Sequence, residues 1–115
     1  IHFLHPMSVT QGIGVVDNLY VGEMIRPGVQ QGVRNLGAMI AVLSSEGDYQ
    51  QHLGGPLPGE GPSQFTAPHG VSTDSQGSVY VAEVAWTNYF SNPDNSGLEA
   101  PPLGEVVSLR KWRRL

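Results

Sequence analysis

The sequence predicts an all-β fold assembled from a repeated antiparallel unit. Three observations carry that expectation. One segment occurs twice, as His5-Pro6-Met7-Ser8-Val9-Thr10 leading to Leu19-Tyr20-Val21-Gly22-Glu23 and as His69-Gly70-Val71-Ser72-Thr73-Asp74 leading to Val79-Tyr80-Val81-Ala82-Glu83. Short β-leaning runs are bounded by Gly, Pro, Asn and Asp, as strands and their turns are. Helical periodicity is weak, and residues 25–36 are too broken by glycine and proline for a helix.

The elements follow in order. Met7-Ser8-Val9-Thr10 reads as a first strand, with a Gly-rich turn around Gly12 and Gly14. Residues 17–23 continue as a second strand, and the fully apolar run 38–44 as a third. Ser45-Glu46-Gly47-Asp48 has turn chemistry, because Gly takes positive φ and Asp hydrogen-bonds its own backbone. Tyr49-Gln50-Gln51-His52-Leu53 is the fourth strand of an antiparallel meander. The Gly- and Pro-rich stretch 54–63 is a loop. The second copy then supplies strands at 71–73 and 78–84, with Asp74-Ser75-Gln76-Gly77 between them. Its alternation sets Val79 and Val81 against Tyr80 and Ala82. A second insertion lies around 88–102, and residues 105–112 form the third strand of that unit.

A repeat at tens of residues marks a solenoid, a propeller or an array. His5 and His69 stand 64 positions apart, beyond the roughly 40–50 residues of propeller repeats. Insertions at 24–37 and 86–104 account for the excess.

Fifteen glycines and nine prolines among 115 residues are turn-rich, yet below the roughly 25–30% of low-complexity chains. A net charge of −4 gives no general attraction to nucleic acid. The basic run Arg110-Lys111-Trp112-Arg113-Arg114 reads either as a phosphate or partner contact or as the solvated face of an alternating strand. With no cysteine there is no disulfide, thiolate metal site or cysteine nucleophile. No apolar run approaches the roughly 20 residues of a membrane helix. The chain begins at Ile1 rather than Met, which is expected of a piece whose targeting segment lies upstream and leaves an extracytoplasmic location open.

Residues 59–83 combine a Gly-rich loop, Phe65, Pro68, Asp74 and Gly77 in a turn, and Tyr80-Val81-Ala82-Glu83. This pattern closely resembles an NHL repeat, a β-propeller blade of four antiparallel strands. The resemblance implies a propeller fragment of about two blades, the second incomplete. It divides the chain into a blade at about 5–55, a loop at 56–64 and a partial blade at about 65–115. Propellers close with about 4–8 blades, so the remaining blades are expected from the same chain or from other subunits.

Pro68-His69-Gly70-Val71 also resembles the corresponding segment of peptidyl-hydroxyglycine amidating lyases, which are six-bladed propellers of this type. There, histidines at the start of the innermost strands line the central channel and bind zinc. The resemblance places His69 and His5 at such positions; His2 and His52 fall outside them. It implies a metal-dependent lyase- or hydrolase-like enzyme in which zinc, completed by a third histidine from elsewhere, activates an oxygen substrate. The other reading of these histidines is a hydrogen bond to channel-facing backbone. Its functional counterpart is a non-catalytic propeller that binds a small molecule, a peptide or a protein.

Glu23 and Glu83 close equivalent strands. They read either as acid–base or calcium-binding carboxylates or as structural acceptors for a neighbouring turn. Tyr20 and Tyr80 read as packing residues, and Trp86, Tyr89 and Phe90 as a ligand-facing rim or an anchor for the second insertion. The Gly-rich loop lacks the Gly-Lys-Ser/Thr ending of a phosphate loop, and no Gly-x-Ser-x-Gly elbow is present.

Overall fold

A computed structural model describes residues 6–11, 18–24, 38–55, 58–89 and 104–113, which form two antiparallel sheets. The first has the order β1 (Pro6–Gln11), β2 (Leu19–Glu23), β3 (Met39–Leu43), β4 (Tyr49–Leu53). The second has the order β5 (Pro68–Thr73), β6 (Val79–Glu83), β7 (Leu109–Trp112). The chain is therefore mostly β. Each expected strand is present, though two differ clearly in extent: β5 begins three residues before 71, and of the run 105–112 only Leu109–Trp112 is strand. One turn was not foreseen: Ala85–Asn88 forms the short helix α1, where Asn88 donates to the Val84 carbonyl.

Local chemistry explains the hairpins. In the β3–β4 turn, Ser44 Oγ accepts from the Glu46 and Asp48 backbone N–H groups. In the β5–β6 turn, Asp74 Oδ1 accepts from Gln76 and Ser78 N–H, both at 3.0 Å. Gly77 there has φ +83°, a conformation costly for residues with a Cβ. The interior strand β3 is buried along its whole length, which is why its sequence is apolar without alternation. The edge strand β4 is polar and largely exposed, as suits an edge that must not recruit other chains.

The two sheets share one register. Pro6 pairs with Glu23 and Ser8 with Gly22; Pro68 pairs with Glu83 and Gly70 with Ala82. Both ladders slip by one residue at the same place, so Met7 and His69 are the interposed residues. In this register the counterpart of His69 is Met7. His5 lies outside the described residues.

The core lies between the sheets, which meet along β1, β2 and β5. Tyr20, Ala38, Ile40 and Val42 of the first half pack with Phe65, Val79 and Val81 of the second. A smaller cluster of Val21, Ala41 and Leu43 occupies the other side of the first sheet. By register, Val79 and Val81 correspond to Leu19 and Val21, on the side of the first sheet that faces away from this core. Unlike sides therefore meet, and the contact is head-to-tail. Such an interface repeats around a ring or along a filament and is not used up by two units.

Phe65 is the wedge of this core, fully buried and stacked on Trp112 with ring centroids 5.3 Å apart. Gly54 makes room for it: φ is +104°, and a Cβ there would come within 2.7 Å of the Phe65 ring. Gly47 has a similar φ of +93° but open space around it. We expect Gly47→Ala to cost about 1 kcal/mol, from left-handed strain alone. Gly54→Ala, which adds a clash to that strain, should cost at least about 2 kcal/mol. Urea unfolding of the two variants measures the difference, and equal costs would refute the wedge.

Candidate functional site

Glu83 ends β6 on the side that faces the first sheet, and its side chain is wholly buried. Its Oε2 accepts from the Thr66 and Ala67 backbone N–H groups at 2.5 and 2.9 Å. Its Oε1 accepts from Arg110 Nε at 2.6 Å. Arg110 in turn donates to the Gly61 and Gly59 carbonyls at 3.0 and 3.1 Å, and its guanidinium carbon lies 5.9 Å from the centre of the Phe65 ring. Four elements meet here: β6, β7, the Gly-rich loop and the entry to β5. Of the two readings of Glu83, the structural one describes what the carboxylate does.

Arg110 is the residue that sequence reasoning missed. The basic run read as a solvated face or a phosphate contact, yet Arg110 pairs with Val81 in the ladder and shares the inward side with Trp112. The signal was the alternation of Arg110 and Trp112 against Leu109 and Lys111, on a strand whose neighbour ends in a buried acid. In the first sheet Ala41 holds the ladder position of Arg110. Glu23 is buried like Glu83.

On the outer side of the second sheet, Asp74 is the central polar group. Besides its turn, it accepts from the Tyr80 hydroxyl at 3.1 Å, and Lys111 Nζ lies 3.9 Å away and 5.0 Å from the Tyr80 ring centre. The Ser78 backbone N–H is the largest influence holding the Asp74 carboxyl below its ordinary value of 3.8; desolvation, next in size, opposes it, and Tyr80, Gln76 and Lys111 add smaller lowering contributions. The exposed ion pair with Lys111 itself contributes little to stability.

The rest of this side is open. Tyr80, Leu109 and Lys111 occupy the register positions of Tyr20, Ile40 and Val42, the residues that meet the second sheet. Ile40 is 0% exposed, whereas Leu109 is 68% exposed, with Ala82 exposed beside it.

His69 is exposed at the slip in β5. Among the described residues no three His, Asp or Glu side chains are grouped to hold a metal ion. Trp86 is exposed on α1 and Tyr89 is buried beside it; Phe90 lies outside the described residues. Among the described residues no helix is long and apolar enough to cross a membrane. Compared with protein-family models, curated proteins and solved structures, the chain matches none.

Two outcomes are expected. Glu83→Ala strands a buried guanidinium and two backbone N–H groups, and should cost about 3–5 kcal/mol in urea unfolding. Glu83→Gln keeps an acceptor and should cost less, and no difference between the two would contradict the network. For Asp74 the lowered carboxyl favours the folded chain above its ordinary value, and that contribution is lost as pH falls through the lowered one. NMR should find Asp74 titrating below 3.8, with Asp74→Asn flattening the acid dependence of stability; titration at or above that value would contradict the turn assignment.

Proposed function

We propose that the chain is part of an NHL-type β-propeller, in which it supplies two neighbouring blades of a binding scaffold. One observation carries this reading: the head-to-tail contact leaves the Tyr80–Leu109 side of the second sheet open where its counterpart is buried. A third sheet presenting small branched residues, as Val79 and Val81 do, fits that side. Burying the exposed part of Leu109 would stabilise such a contact by about 1–2 kcal/mol. The slip shared by β1 and β5, and their placement where the sheets meet, suit the inner strands of adjacent blades. The partner sheet comes from the same polypeptide or from another subunit. A ring so completed binds a small molecule, a peptide or a protein through its inter-strand insertions.

The enzyme reading, with zinc held by His69, His5 and a third histidine, keeps one favourable observation. His69 is exposed at the start of β5, a strand that meets the first sheet, where a channel ligand would stand. Imidazole alone is not a site, since catalytic zinc takes three protein ligands.

Sedimentation of the 115-residue chain tests the scaffold reading. We expect association that grows with concentration and weakens in Leu109→Glu; a stable, folded monomer at every concentration overturns it. Metal analysis of the same material separates the two functions. The scaffold reading expects no retained zinc, and stoichiometric zinc lost in His69→Ala would establish the enzyme reading in its place.

A further inference from the structure

Where the sheets diverge from their shared core, a cleft of about 310 Å³ opens between the outer strands β4 and β7. We propose that this cleft is a binding site for a small aromatic carboxylate. Its lining is about half apolar, from Val42 of β3, Val79 of β6 and Trp112 of β7 among others. Trp112 is held from behind by Phe65, so the aromatic wall is fixed before a ligand arrives. The volume lies at the low end of small-molecule sites, which limits the ligand to about one ring.

The polar groups set the charge of that ligand. Arg113, Asn18 and Gln51 line the cleft, and no Asp or Glu does so among the described residues. Arg113 is exposed and makes no ion pair among the described residues, unlike Arg110 and Lys111 beside it. A guanidinium offers two parallel N–H donors to a carboxylate, and the amides can complete its hydrogen bonding. In a chain of net charge −4, a cleft that holds Arg113 and no acid among its described lining residues favours a monoanion over a neutral or cationic ring. The site lies within one chain and away from the open Tyr80–Leu109 side, so it stands independently of the scaffold reading.

Trp86 and Trp112 are the two tryptophans, and Trp86→Phe leaves Trp112 as the reporter. Fluorescence titration of that variant with 3-phenylpropionate should give a saturable change, with a dissociation constant on the order of 0.1–1 mM. The amide of the same ligand, and acetate, should each bind at least about tenfold more weakly. Arg113→Glu, at an exposed position that leaves the core intact, should weaken the acid by at least about tenfold and leave the amide unchanged. The absence of a saturable change overturns the proposal. So does equal binding of acid and amide, equal binding of acetate, or an Arg113→Glu variant that binds as the parent does.

Discussion

A carboxylate removed from water must find its hydrogen bonds inside the protein, and the second half of this chain is arranged around that requirement at Glu83. Leaving such a charge unpaired costs several kcal/mol, a large part of the total stability of a small domain. Two backbone N–H groups and one guanidinium meet the demand. Those same partners fix the Gly-rich loop, because Arg110 also holds the Gly59 and Gly61 carbonyls. With the loop fixed, Phe65 is set between the sheets, and Trp112 is set against Phe65. Both the packing of the two sheets and the aromatic wall of the outer cleft therefore depend on one buried ion pair.

The pair also makes the repeats unequal. Backbone register, the slip near the start of the inner strand and the terminal glutamate recur, but Ala41 stands where the second sheet has Arg110. Their sides differ as well, since Val42 is buried in the contact whereas Lys111 is solvated on the open side. A third sheet seated there would meet Leu109 and Ala82 at one end and the Asp74–Tyr80–Lys111 group at the other. That polar end gives the open side a preferred orientation for whatever covers it, since polar groups must be matched when buried.

Much of this was legible in the sequence, because the signals are local. The alternation in β6, the apolar run of β3 and the Asp74–Gly77 turn chemistry each depend on residues a few positions apart, and each led to the observed element. The acceptor role of Glu83 was one of two readings of a carboxylate at a strand end, and only the resemblance to an NHL repeat favoured it. The partner of Glu83 was not legible, because Arg110 lies 27 residues away across an insertion, and a run of four basic residues around Trp112 reads as surface. The histidine pair shows a different limit. Aligning the copies on His5 and His69 conceals that the prolines occupy equivalent ladder positions, which gives Met7 the place of His69. Register follows hydrogen-bond pairing, and a shift of one or two residues is invisible in residue identity alone. The α1 turn was missed because four residues are too few to show a helical period.

The central claim is that Glu83 ties the loop to the core so firmly that the two open only together. Native-state hydrogen exchange of the Thr66 and Ala67 amides tests it most directly, since both donate to that carboxylate. Although they lie outside the strands, they should exchange as slowly as the Val81 amide, through global unfolding. Exchange at the rate of an exposed loop, with Val81 still protected, would contradict it.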